Sequence, residues 1–209
     1  MRKYAILKPV EPIILASGSR RRQNFFRLLG LPFTVILPEI DETPKKGLSP
    51  RQAAEDLALQ KVQAVIAKLK KRKKDEGEPK WIFAADTMVV LDGRIYGKPK
   101  NRIDAGSMLR SLSGRGHEVV TAMALYNVYE EKTDCRSVTC EVTFAPLTPA
   151  EIEWYLKTFE WQGAAGGYQL QSLGACLVKG INGSPGAVAG LPLRDFYVML
   201  RDNGYPFGA

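Results

Sequence analysis

Residues Pro12–Ala16 (PIILA) run directly into Ser17-Gly18-Ser19-Arg20-Arg21-Arg22, and these into Gln23–Leu29, closed by Gly30. A short apolar run ending in small residues predicts a buried strand, and Phe25, Phe26, Leu28 and Leu29 ahead of a glycine predict a helix. In an open α/β sheet, a strand–loop–helix unit puts its loop past the carboxyl end of the strand, where the helix N-terminus aims free N–H groups outward. Ser17 and Ser19 add hydroxyls, Gly18 lets the backbone approach a ligand, and Arg20–Arg22 add three guanidiniums. Cations at a helix N-terminus oppose its macrodipole by about 0.3–1 kcal/mol each when exposed, and a bound anion relieves that opposition. The loop therefore reads as a phosphate site, with a solvated basic turn as the plain alternative. No G-x-x-x-x-G-K-[ST] and no G-x-G-x-x-G occurs, which excludes the P-loop and the dinucleotide fingerprint.

The rest of the chain alternates helix and strand patterns. Phe33–Leu37 predicts a strand, followed by a loop with Glu39, Asp41, Glu42 and Pro44. Ser49-Pro50-Arg51-Gln52 is a capping box with proline at the first helical position, opening a helix to about Lys70. Trp81–Ala85 predicts a strand with Asp86 at its end, and Met88–Leu91 and Arg94–Tyr96 a hairpin over Asp92-Gly93. Asn101–Leu112 reads as a helix, and Glu118–Tyr129 with Cys135–Phe144 as a second hairpin. Thr148-Pro149-Ala150-Glu151 opens a helix to about Thr158, and Arg194–Leu200 forms the last. Gly163–Gly167 is a small-residue loop, and Gln169–Val178 reads as short strands or irregular structure. The class is α/β, a mixed sheet flanked by helices. Lys71–Lys80 is the linker candidate, yet the strand after it looks like core, so residues 1–209 read as a single domain.

Composition narrows the function classes. Of a net charge of +8, residues 68–80 hold seven basic and three acidic side chains. With no aromatic interleaved to stack on bases, this run reads as a solvated helix end and linker, not as a nucleic-acid surface. Three cysteines without a C-x-x-C and a single histidine exclude a structural zinc site and suggest reduced thiols in the cytoplasm. No apolar stretch has membrane-spanning length, and Lys8, Pro9, Glu11 and Pro12 break the N-terminal region too early for a signal peptide. His117, beside Gly114 and Gly116, reads as a turn histidine, which argues against Ser-His-Asp or Cys-His nucleophiles. Cys176 reads as a small core residue.

The carboxylates carry the remaining signal. Asp86 at a strand end is costly unless it is hydrogen-bonded or binds metal. With Asp41 and Glu42 after another strand, it supplies what Mg²⁺ needs beside a polyphosphate: one or two protein oxygens, with phosphates and water completing the octahedron. A turn or cap role for Asp86 is the alternative. Lys98, leaving the hairpin after Gly97, either reaches a phosphate or stays solvated. Lys61, on a helix behind Ala54, Leu57 and Ala58, either faces a ligand or snorkels to water.

Taken in order, Leu15–Arg22, Glu39-Ile40-Asp41-Glu42, Ala84-Ala85-Asp86-Thr87, Gly97-Lys98-Pro99, Leu112-Ser113-Gly114 and Val188–Leu193 resemble the motifs of the Maf family of nucleoside triphosphate pyrophosphatases. The resemblance spans almost the whole chain. It implies an elongated mixed β-sheet flanked by helices, a Maf/ITPase-like fold with two lobes and a central cleft, and assembly as a homodimer. It implies hydrolysis of a nucleoside triphosphate to the monophosphate and pyrophosphate with a divalent metal cation, Mg²⁺ or Mn²⁺. Asp86 is the implied general base, Glu42 and Asp86 the implied metal ligands, and Ser17, Arg21, Arg22, Lys61 and Lys98 the implied phosphate contacts. Arg21-Arg22, Asp86-Thr87 and Gln171 resemble the branch acting on dTTP and UTP, with Arg22, Thr87 and Gln171 as specificity residues; the Gln171 amide offers a donor and an acceptor to a pyrimidine edge. The sequence departs from the family pattern at Arg20 (usually proline), Ala164 (usually lysine) and Pro185 (usually aromatic). Two rivals lack catalysis: a nucleotide sensor, and a nucleic-acid-binding regulator of cell division.

Overall fold

A computed structural model describes residues 8–9, 11–71 and 79–208. Residues 1–7 and 10, where the signal-peptide reading falls in part, and residues 72–78 of the basic run and linker lie outside the described residues. The elements in order are β1 (Lys8–Pro9), β2 (Ile13–Leu15), α1 (Arg20–Leu28), β3 (Phe33–Val35), α2 (Pro50–Lys70), β4 (Trp81–Leu91), β5 (Arg94–Tyr96), α3 (Arg102–Leu112), β6 (Gly116–Asn127), β7 (Lys132–Phe144), α4 (Pro149–Lys157), β8 (Val178–Asn182), α5 (Pro185–Val188), α6 (Leu193–Asp202) and β9 (Phe207–Gly208). Short 3₁₀ turns at Ala165–Gly167 and Leu173–Leu177 separate α4 from β8. No helix among the described residues is long and apolar enough to cross a membrane.

The helix starts follow from side-chain caps. Ser49 and Gln52 satisfy each other's backbone donors at the head of α2, and Thr148 and Glu151 do the same for α4. Asn101 caps α3 through the Asp104 N–H. Ser19 caps α1, so that helix begins at Arg20, three residues before the Gln23–Leu29 stretch that reads as helix, and all three arginines lie in its first turn.

A seven-stranded mixed sheet runs β3-β2-β4-β6-β7-β8, with β5 also on β4. Strand β2 is parallel to β3 and β4; the other pairs are antiparallel. Strand β4 organises the layers, because its side chains alternate between faces. Ile82, Ala84, Met88 and Val90 pack under Leu57, Val62 and Val65 of α2 along its whole length. On the other face, Phe83 and Ala85 pack with Phe26 of α1 and Phe196 of α6, whereas Val89 and Leu91 join Leu109 of α3 and Tyr155 of α4. That face thus carries two separate clusters, and Thr87 sits at the seam between them.

The edge of β4 is open at the same place. Strand β2 follows it only as far as Leu15 opposite Phe83, and β5 takes up the edge again at Val89 opposite Tyr96. Asp86 is therefore in the middle of an eleven-residue strand, not at a strand end as the sequence pattern suggests. The polar Asp86-Thr87 pair looks like a break, but both side chains find buried partners at the gap. Two further expectations change. His117 lies within β6 and is buried, and Cys176 is exposed.

Candidate active site

Two polar networks meet at the open edge of β4. On the α1 face the buried Arg22 guanidinium donates three hydrogen bonds: Nη1 to Ser17 Oγ (3.1 Å), Nη2 to Thr87 Oγ1 (3.0 Å) and Nε to the Gly190 carbonyl (2.9 Å). Thr121 Oγ1 donates to the Ala187 carbonyl at 2.8 Å and so accepts from Thr87 Oγ1 at 2.9 Å. One planar side chain thereby ties the first loop, the middle of β4 and the segment after α5 into a fixed frame. Burial lowers the Arg22 pKa to about 10, opposed by the nearby Asp86 charge, so the group stays cationic at neutral pH.

On the α2 face the buried Lys61 ammonium lies 2.6 Å from Asp86 Oδ1 and 2.7 Å from Glu42 Oε1. Lys98 reaches the other Glu42 oxygen at 2.5 Å. Desolvation pushes the Glu42 carboxyl up, but its bonds to Lys61 and Lys98 outweigh that and bring it down to about 2. Arg21 makes no side-chain hydrogen bond among the described residues, and burial lowers its pKa.

These groups line one cavity of about 740 Å³, within the usual range for small-molecule sites. The charged part of its wall carries Arg20, Arg21, Arg22, Lys61 and Lys98 together with the Glu42 and Asp86 carboxylates, and the uncharged part Gln162, Gly163, Ala165, Tyr168 and Gln169. Such a lining offers cations to a charged tail and neutral groups to an uncharged head.

The donor set also bears on a divalent cation. Asp86 Oδ1 and Glu42 Oε1 both converge on a single positive point, the Lys61 nitrogen. Among the described residues no group of three or more His, Cys, Asp or Glu is placed to hold a metal. Two converging carboxylates without a third fit a Mg²⁺-type ion that completes its shell with substrate phosphates and water, and do not fit an all-protein cage.

A family model described as Maf-like protein matches residues 12–203. The chain belongs to the Maf family. The dTTP/UTP pyrophosphatase of Symbiobacterium thermophilum is 40% identical to it, covering 94% of this chain and 96% of its own. That of Bacillus velezensis is 41% identical, over 91% of this chain and 95% of its own. That of Halalkalibacterium halodurans is 42% identical, over 94% and 98%.

Of the site residues expected from the Maf resemblance, the structure gathers Ser17, Arg21, Arg22, Glu42, Lys61, Asp86, Thr87 and Lys98 around this cavity. It does not bring Gln171 there. Gln171 is exposed, and its Nε2 donates to Gln169 Oε1 at 2.8 Å; Gln169, two residues earlier, lines the wall. The Thr87 hydroxyl is engaged by both Arg22 and Thr121, which leaves it only a spare lone pair for a base edge. Asp41 turns away from the cavity to accept from the Thr43 N–H at 2.9 Å. Sequence reasoning missed Thr121, Tyr168 and the Gly190 carbonyl. Thr121 sits inside an apolar run, and Tyr168 between the Gly163–Gly167 loop and Gln169, where no periodicity marks it. A backbone acceptor carries no side-chain signature, although the left-handed φ of 103° at Gly190 explains a glycine there.

Proposed function

We propose that this chain is a metal-dependent pyrophosphatase that hydrolyses dTTP and UTP to the nucleoside monophosphate and pyrophosphate. The observation that carries the reading is the Asp86 carboxylate, held at 2.6 Å by buried Lys61 on an open strand edge that faces the Ser17–Arg22 loop. The names of the relatives, each a dTTP/UTP pyrophosphatase, support the substrate class.

In this mechanism Ser17, Arg21, Lys61 and Lys98 hold the phosphates, and Arg22 fixes the loop that presents them. Asp86 accepts the proton of the water that attacks the α–β anhydride, and the cations of the wall meet the charge that grows on the departing bridging oxygen. Glu42 and Asp86 are the residues that would hold the divalent cation, Mg²⁺ or Mn²⁺, which when bound supplies Lewis-acid stabilisation at the phosphate oxygens. The uncharged wall takes the nucleoside. Arg22, Thr87 and Gln171 then act on specificity by positioning: Arg22 and Thr87 through the frame, Gln171 through Gln169. Cys135, Cys140 and Cys176 are unpaired, which supports a cytoplasmic setting.

The test is a panel of canonical and modified triphosphates with Mg²⁺ or Mn²⁺, scored for pyrophosphate. Release from UTP and dTTP that stops with a chelator is the expected result. A strong purine preference overturns the substrate assignment, and nucleotide binding without turnover favours the sensor.

A further inference from the structure

We infer that Lys61 and Lys98 act as built-in counter-cations that make binding of the divalent ion and binding of the polyphosphate depend on each other. The inference rests on the proposed function above and adds to it an ion exchange within the site. Glu42 and Asp86 have four carboxylate oxygens between them. Lys61 engages Asp86 Oδ1 and Glu42 Oε1, and Lys98 engages Glu42 Oε2. Only Asp86 Oδ2 has no cationic partner among the described residues. A divalent ion of the Mg²⁺ type sits about 2.0–2.1 Å from its ligands. It cannot share the space between Asp86 and Glu42 with an ammonium already 2.6 and 2.7 Å from the same two oxygens. Both Glu42 oxygens carry a lysine, so an ion that bridges Glu42 and Asp86 competes with an ammonium for at least one of them.

The displaced lysine then needs a new anion. Lys61 is 4% exposed, and a buried ammonium stripped of its carboxylates is strongly disfavoured. The phosphates of the substrate are the anions that both lysines can reach from this wall. The exchange works equally in reverse. A polyphosphate that draws Lys61 and Lys98 toward itself leaves Glu42 and Asp86 facing one another and the incoming anion, a repulsion that a divalent cation removes. Linkage makes the coupling reciprocal: whatever factor the nucleotide adds to metal affinity, the metal adds to nucleotide affinity. The carboxylates stay neutralised in both states, by lysines in one and by the divalent ion in the other.

The experiment titrates the full chain with Mn²⁺ alone, and then with Mn²⁺ beside an α,β-methylene analogue of UTP, reading bound Mn²⁺ by electron paramagnetic resonance. Wild type is expected to bind Mn²⁺ weakly alone and on the order of tenfold or more tightly with the analogue. Lys98→Met removes an exposed lysine without disturbing the core, and Lys61→Met removes the buried one, with a thermal melt to check its folding. Each is expected to bind Mn²⁺ alone more tightly than wild type and to gain less from the analogue. Lys100→Met removes a nearby exposed ammonium that has no carboxylate partner among the described residues and is expected to leave Mn²⁺ affinity unchanged. Variants of Lys61 and Lys98 that bind Mn²⁺ no better than wild type overturn the exchange. So does a Lys100 variant that gains as much as the Lys98 variant, because the effect is then one of general charge. Failure of every protein to bind Mn²⁺ even with the analogue overturns the metal-dependent reading itself.

Discussion

Asp86 and Thr87 are consecutive in β4 and serve opposite faces of the sheet: Asp86 Oδ1 meets Lys61 of α2 at 2.6 Å, while Thr87 Oγ1 meets Arg22 of α1 at 3.0 Å. Strand alternation alone dictates the opposition. One cavity touches both residues because, among the described residues, the β4 edge has no strand partner between Phe83 and Val89 on the β2 side. The gap lets a ligand wrap the edge, with the proposed base on one side and the arginine frame on the other.

Asp86→Asn keeps the shape of the side chain and removes the base. Pyrophosphate release should fall by about 10²–10⁴-fold, while calorimetry should still detect nucleotide binding. A variant as fast as wild type would remove Asp86 from the mechanism.

Arg22→Lys should be far from conservative. A lysine cannot span Ser17, Thr87 and the Gly190 carbonyl together, and lost hydrogen bonds to a buried charge predict a fall of about 2–4 kcal/mol in urea-melt stability. Thr87→Val breaks the same frame from its other side. The double variant should therefore lose less than the sum of the two single losses. Strict additivity would mean that the two side chains act independently.

Gln171→Ala discriminates between the reading from sequence and the geometry. If Gln171 contacts the base, its loss should sharply reduce the preference for UTP over GTP. Its placement behind Gln169 predicts a smaller effect, roughly the 0.5–1.5 kcal/mol of one ordinary hydrogen bond, with Gln169→Ala the more damaging change. Ratios of kcat/KM for the two nucleotides in both variants decide the matter.

His117 should give the fold an acid-sensitive step. Its Nε2 lies 2.9 Å from Tyr168 Oη, its Nδ1 is buried without a partner, and burial lowers its pKa to about 4. The unfolded chain protonates this ring below about 6.5, whereas the folded chain does so only near 4. Stability present above the higher value is thus lost as pH falls through that window, by at most on the order of 3 kcal/mol. Urea melts at pH 7 and 4.5 should show the loss, and His117→Phe should flatten it. An equal pH slope in that variant would assign the effect to other groups.

Gly166→Ala should strain the neutral wall. Gly166 has φ +68°, and an added Cβ would lie 2.9 Å from Val89 Cγ2. A cost of about 1–3 kcal/mol is expected, together with a raised KM if the wall shifts into the cavity. A melt and a KM both identical to wild type would show that this turn yields freely.

The sequence by itself determined what neighbours along the chain can decide. Ser49 with Gln52 and Thr148 with Glu151 fixed two helix starts, and Asp92-Gly93, both at positive φ, fixed the hairpin turn. Caps and turns are written within three or four residues, so they read directly. The ordered motifs likewise gathered seven residues now found around one cavity, and the family resemblance added Lys61. Tertiary structure alone decided the rest. Strand β4 runs unbroken through Asp86 and Thr87 because Lys61, 25 residues earlier, and Arg22, 65 residues away, satisfy them. Arg22 is a brace because its Nε finds a carbonyl 168 residues distant. Gln171 faces away because the chain turns between Tyr168 and Leu173, and no local pattern says which of two glutamines faces inward. Local propensity chooses the elements, while the worth of a buried charge depends on partners that only the assembled sheet brings within reach.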